Sequence, residues 1–89
     1  MLGEDTPYPM LVAAASGAVE QANEAARSLL GGAARVTPEW FARAHRELCD
    51  RLADGVRAAP EPVRGPVGER VYEAHPVRAG RDRVTWWLV

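Results

Sequence analysis

The last seven residues, Arg-Val-Thr-Trp-Trp-Leu-Val at 83–89, constrain the fold more than any other stretch. Side chains alternate across a strand, so Val84, Trp86 and Leu88 face one way and Thr85, Trp87 and Val89 the other. Both sets are largely apolar. The chain has 89 residues, enough for one domain whose modest core takes up roughly 60–65% of the unfolded surface. A sheet in such a domain has one natural core face. The second apolar face of this strand must be covered by something else.

The chain upstream supplies a sheet and helices to pack on it. Residues 1–8 read as an irregular lead-in, kept extended by Pro7 and Pro9, and residues 9–89 as a single domain. Met10 to Ala15 read as a strand, Ser16-Gly17 as a turn, and Ala18 to Ala22 as a short second strand with Val19 inward and Glu20 outward. Asn23 is a favoured N-cap, because its side chain accepts from a backbone N–H two or three residues on. Glu24 then suits the positive end of the helix dipole, Leu29 and Leu30 close the apolar side, and Gly31 is placed for a left-handed stop.

After the flexible Gly-Gly-Ala-Ala-Arg-Val connection, Thr37-Pro38-Glu39 is a helix start, with Thr37 as N-cap and Pro38 at the first helical position. Phe41, Ala44, Leu48, Leu52 and Val56 recur at spacings of three and four and form one apolar face, opposite Arg43, Arg46, Glu47, Asp50 and Arg51. Asp54-Gly55 or the alanines before Pro60 should end this helix. The Pro- and Gly-rich run 60–68 holds at most a short edge strand. Arg70 to Arg78 and Arg83 to Val89 read as strands joined by an Ala-Gly-Arg-Asp turn. The expected architecture is α+β: an antiparallel sheet of about five strands with the helices packed on one face.

Composition narrows the function. Formal net charge is −1 and the pI about 6.1, so nothing draws the chain to nucleic acid or to an anionic membrane. The single cysteine, Cys49, excludes an internal disulfide framework and points to a reducing, cytoplasmic setting. No apolar run approaches the ~20 residues that cross a bilayer, and the acidic start Met-Leu-Gly-Glu-Asp is not a secretion signal. All eleven basic residues are arginine. This suits a GC-rich, bacterial genome, and the lack of lysine removes Walker-type phosphate loops and Schiff-base catalysis. There is no Gly-x-Ser-x-Gly elbow and no Gly-x-Gly-x-x-Gly, and carboxylates stand singly among arginines, as on a solvated surface. The expectation is no enzyme, no catalytic residue and no metal site.

The opening stretch resembles a PAS domain. Met10-Leu11-Val12, Gly17, Val19, Asn23, Ala25-Ala26 and Leu29-Leu30-Gly31 follow that family's order of strand, Gly turn, short strand, Asn cap, small-residue helix start and Leu-Leu-Gly finish without a gap. The run 69–89 is similar to the family's last two strands, with a Pro-Val pair, a Gly-Arg-Asp turn and a final apolar strand. The resemblance spans nearly the whole chain. It implies a sensory or regulatory module, part of a larger signalling protein, that binds a small ligand or relays a signal to an attached effector. A ligand-free module for dimerisation or protein interaction is the alternative, and a small stand-alone α+β enzyme a more remote one.

Site candidates follow from periodicity and from the resemblance. An apolar pocket between helices and sheet is expected from Val12, Val19, Phe41, His45, Leu48, Leu52 and Trp86. His45 lies on the helix that carries an iron-ligating histidine in haem-binding relatives, but the commoner reading is a partly exposed helical histidine. His45 and Cys49 are too few for structural zinc. Cys49 lacks the Asn-Cys-Arg-Phe surroundings of flavin-adduct relatives and reads as a small hydrophobe, and the cofactor, if any, is left open. Trp40 either caps the pocket or covers the sheet edge. The outer sheet face, with Trp87, Val89, Val71 and Tyr72, is expected to be a homodimer or interdomain contact anchored by Trp87.

Overall fold

A computed structural model describes residues 8–55, 61–80 and 82–89. Its elements are β1 (Met10–Ala14), β2 (Val19–Ala22), α1 (Glu24–Leu30), α2 (Glu39–Ala53), β3 (Val63–Val67), β4 (Arg70–Arg78) and β5 (Arg83–Leu88). The strands form one five-stranded antiparallel sheet in the order β2-β1-β5-β4-β3. The two-sided apolar segment, β5, occupies the centre. Its neighbours β1 and β4 present apolar side chains on both faces beside it, and backbone pairing on both sides leaves β5 itself with no exposed edge.

Alternation sorts the strands cleanly. Leu11, Ala13, Ala74, Val84, Trp86 and Leu88 enter the core beneath the helices, joined by Val36 and by Phe41 of α2. Burial of each large apolar side chain here contributes roughly 1.5–3 kcal/mol. Phe41 meets Trp86 edge to face, with ring centroids 5.0 Å apart.

Asn23 is buried and ties three segments together. Its Oδ1 accepts from Ala26 N–H at 2.9 Å, capping α1, and from Met10 N–H at 3.1 Å; its Nδ2 donates to the Tyr8 carbonyl at 3.0 Å. The cap therefore also fixes where the chain enters β1. Gly31 ends α1 in the left-handed region at φ 74°, where a Cβ would be strained.

The start of α2 differs from expectation. Pro38, extended at φ −71° and ψ −175°, is the N-cap, and no side chain caps the helix. Thr37 therefore lies one residue too early to cap, and the Pro38 carbonyl accepts instead from Phe41 and Ala42 N–H. The helix ends at Ala53 with Asp54 as its cap; Val56 lies outside the described residues. The first strand runs to Ala14; Ala15 N–H still donates to the Asp82 carbonyl, in register with β5, and Gly17 N–H closes the turn on the Ala14 carbonyl.

Two prolines sit inside strands without cost to the ladder. Pro66 is on the edge strand β3. In β4, Glu73 and Val89 exchange both backbone bonds, so every second residue of β4 bonds β5 and the intervening Pro76 does not. Its missing N–H points to the side where β3, which begins opposite Ala74, has already ended. Trp40 settles on this edge: its Nε1 donates to the Pro66 carbonyl at 2.8 Å. Its ring lies where a Cβ on Gly65 would stand, with 2.3 Å to the nearest ring atoms. Of the two roles open to Trp40, covering the sheet edge is the one it takes.

Candidate functional site

The centre of the space between α2 and the sheet is filled by Phe41, His45 and Trp86. His45, expected to be partly exposed, is wholly buried; this corrects that reading. It lies one turn after Phe41, on the side of α2 that faces β5. Trp86 Nε1–H donates to His45 Nδ1 at 3.0 Å, and His45 Nε2 lies 2.6 Å from the Ala14 carbonyl. An indole N–H can only donate, so Nδ1 must accept; a carbonyl can only accept, so Nε2 carries the proton. The ring is thus held as one neutral tautomer between β1 and β5. Both nitrogens are committed within the protein, and ligation of a metal or haem iron by His45 would require breaking one of these bonds.

Cys49 Sγ stands 3.6 Å from His45 Nε2. Since Nε2 carries a proton and Nδ1 is filled, His45 offers no lone pair to deprotonate the thiol. Burial, and secondarily the Asp50 carboxylate, push the Cys49 thiol above its ordinary value. Both effects oppose a nucleophilic Cys–His pair.

The pocket residues inferred from sequence are only partly brought together. Phe41, His45 and Trp86 meet in the filled centre. Leu48 and Leu52 pack at its flank, Leu48 lining a cleft of about 210 Å³ against Val63 and Pro76. Val19 lies farther off, in a separate groove of about 240 Å³ between β2, α1 and residues 32–35. Val12 is a correction. Leu11 and Ala13 on either side of it are buried in the core, so Val12 points to the outer face, opposite Thr85. The strand phase, one residue out, put the wrong member of Leu11-Val12 inside.

The outer face carries Trp87 in a row with Met10 of β1 and His75 of β4, next to a second row of Val12, Thr85 and Val77. Val71 and Val89 share this face and are exposed. Tyr72 does not. It lies opposite Gly65, on the helix-covered side, and packs against the core, which corrects its place among the interface residues. Polar groups border the patch: His75 Nε2 is 2.7 Å from Glu73 Oε1, and Arg83 Nε is 2.6 Å from Glu20 Oε1.

No protein-family model matches this chain, and no curated protein matches it. Solved structures match it in shape. One is the photoactive yellow protein domain from the sensor histidine kinase Ppr of Rhodospirillum centenum, with a TM-score of 0.62 over 97% of this chain and 87% of that one, at 15% identity. The chain has a PAS-like fold. The five-stranded antiparallel sheet and two helices of this PAS-like domain agree with the architecture expected from sequence. Among its described residues, no helix is long and apolar enough to cross a membrane, and no group of three or more His, Cys, Asp or Glu is placed to hold a metal ion.

Sequence reasoning missed three features of this domain: the Trp86–His45 bond, the Trp40–Gly65 contact, and the groove that brings Arg27 and Arg35 beside Val19. Each joins residues more than fifteen positions apart or depends on loop geometry. A glycine within a strand permits a close approach, but Gly65 stands in a Pro- and Gly-rich run whose sequence does not single it out.

Proposed function

We propose that this PAS-like domain is a sensory or regulatory module, not an enzyme, that takes up a small ligand and relays a change to an attached effector through its outer sheet face. The observation that carries this reading is the adjacency of Trp86 and Trp87 in the central strand. Trp86 joins the helix-side network to His45, and Trp87, one peptide further, faces outward among Met10, His75 and Val77. A shift of α2 or of β1 against β5 therefore alters the face on which a partner would sit. Because the centre is filled, a ligand would occupy one of the grooves at the domain's margins. The single-cysteine composition supports a reducing, cytoplasmic setting, and the arginine-only basic residues a bacterial source.

A ligand-free dimerisation module is the second reading, favoured by the apolar outer face, which a monomer rarely leaves open. In that case Trp87 is the leading anchor of a homodimer or interdomain contact. Native mass spectrometry of the purified chain, with an absorbance spectrum of the same sample, separates the two. A mass above that of the bare chain supports the sensor. A bare dimer that Trp87→Ala converts to monomer supports the interaction module. A bare monomer whose amide spectrum ignores added small metabolites overturns both.

A further inference from the structure

We infer that the chain of groups Trp86–His45–Ala14 is a proton-operated latch: on taking up a proton, His45 lets go of Trp86 on β5 and keeps its hold on Ala14 of β1. The inference goes beyond the small-ligand reading above. Its signal is acidity, and it stands whether or not a groove at the margin holds a ligand.

The latch follows from the donors and acceptors of the three groups. In the neutral ring, Nδ1 accepts from Trp86 Nε1–H at 3.0 Å and Nε2–H donates to the Ala14 carbonyl at 2.6 Å. A proton from water adds to the ring only at the Nδ1 lone pair, which the Trp86 bond occupies. The charged ring then carries N–H on both nitrogens. Its Nδ1–H faces the indole N–H, and neither can accept, so that bond breaks. The other bond changes in the opposite sense, because a charged donor binds a carbonyl more strongly. Proton uptake therefore shifts the ring's hydrogen bonding from β5 to β1 and does not loosen both.

No neighbouring group offers the charged ring another partner. His45 is wholly buried. On α2 its titratable neighbour is Cys49, with Sγ 3.6 Å from Nε2 and a thiol that burial keeps protonated at neutral pH; Asp50 beside it is exposed. The core-facing side chains of β1 and β5 are Leu11, Ala13, Val84, Trp86 and Leu88, none of them charged. Asp82 before β5 is exposed, and Arg78 of β4 is exposed and donates to the Gly80 carbonyl. Tyr72 of β4 lies opposite Gly65, and Arg64 of β3 opposite Glu73. Arg35 is exposed and donates to the Ser16 carbonyl. Among the described residues no carboxylate forms an ion pair with His45.

The response is local. The Ala14 carbonyl also accepts from Gly17 N–H at 2.8 Å, and β5 is paired along both sides, so turn and sheet persist. What is released is the Trp86 indole, which stands edge to face on Phe41. Its N–H must find another acceptor or water, and the ring turns against Phe41 to do so. Trp87, the next residue, faces outward, so the turn reaches the outer face through one peptide.

The test is a pH titration of the ¹⁵N-labelled chain from about 7.5 to 4.5, the range across which histidine charges. It reads the imidazole nitrogens and the three indole N–H signals. The Trp86 indole N–H should lose its hydrogen-bonded shift and exchange with solvent at least about tenfold faster, at the midpoint where His45 Nδ1 gains its proton. The Trp40 indole, bonded to the Pro66 carbonyl, should not follow. His75, the second histidine, pairs with Glu73 on the surface; His75→Gln should leave the Trp86 transition in place. Trp86→Phe removes the donor and keeps the titrating ring, so most of the β5 amide shifts that accompany His45 protonation should be lost. His45→Gln can accept and donate but does not titrate, and should abolish the transition. A Trp86 N–H that keeps its shift while His45 is protonated, or a transition that disappears with His75, would overturn the latch. So would a folded chain with His45 still neutral at the acid end, or loss of all amide signals together before His45 is protonated, which would leave the ring a structural tie only. None of these outcomes touches the small-ligand reading, which native mass spectrometry tests separately.

Discussion

Trp86 Nε1 donates to His45 Nδ1 across 3.0 Å, and this bond decides the protonation pattern of a ring buried between helix and sheet. The donor-only indole forces Nδ1 to accept, which leaves the proton on Nε2, 2.6 Å from the Ala14 carbonyl. Imidazole ¹⁵N shifts and couplings measured at neutral pH should therefore show a protonated Nε2 and a bare Nδ1 for His45. The opposite tautomer would mean that the bond does not exist.

Energetics give the same bond a second check. The Ala14 carbonyl also accepts from Gly17 N–H at 2.8 Å, so removal of His45 orphans only the Trp86 N–H. His45→Ala should cost about 3–5 kcal/mol, from a cavity and a buried donor without a partner, out of a total stability of about 4–13 kcal/mol for a chain of this size. His45→Leu and Trp86→Phe, measured by urea unfolding singly and together, should be coupled by at least about 1 kcal/mol, because the double variant leaves no unpaired polar group. Simple additivity would contradict the coupling.

Gly65→Ala tests the packing of Trp40 on the edge strand. A Cβ there would fall 2.3 Å from the Trp40 ring, so the ring must leave and its bond to the Pro66 carbonyl with it. A loss of about 1–3 kcal/mol is expected. In a Trp40→Ala background, where the space is open, the same substitution should cost much less. Equal costs in both backgrounds would show that the ring does not occupy the Gly65 position.

Asn23→Ala removes the α1 cap and releases the Met10 N–H and Tyr8 carbonyl together. A loss of about 1–3 kcal/mol is expected, above that of an ordinary cap. Asn23→Asp keeps the acceptor for Ala26 and Met10 N–H but loses the donation to Tyr8 and buries a charge, so it should recover only part of the loss. Hydrogen exchange at Ala26 and Met10 reports both sites at once.

Cys49 should react slowly. Burial first, and the Asp50 charge second, raise its thiol above 9.0, so the thiolate fraction at neutral pH is below that of an exposed cysteine. Iodoacetamide should label the folded chain more slowly than the urea-unfolded chain at the same effective pH. The sign for stability follows. A group whose folded value is raised contributes fully below its unfolded value and loses that contribution as pH rises through the folded one. Stability should thus fall as pH rises above about 9, and Cys49→Ser should flatten the fall.

The local punctuation of this chain was legible in the sequence. Asn23, Gly31, the Ser16-Gly17 turn and the alternation of 83–89 act on near neighbours through backbone geometry, and each stands where its chemistry placed it. The two-sided apolar strand likewise announced a sheet with a core face and a second face of its own. What residues within one or two turns cannot specify was decided by tertiary packing. The phase of β1 depended on pairing with β5, which buries Leu11 and Ala13 and turns Val12 outward. The burial of His45 depended on Trp86, forty-one positions away, because a polar ring enters a core only where a donor and an acceptor wait for it. The groove that gathers Arg27 and Arg35 exists only once β2, α1 and residues 32–35 close on one another, and no spacing along the chain encodes that space.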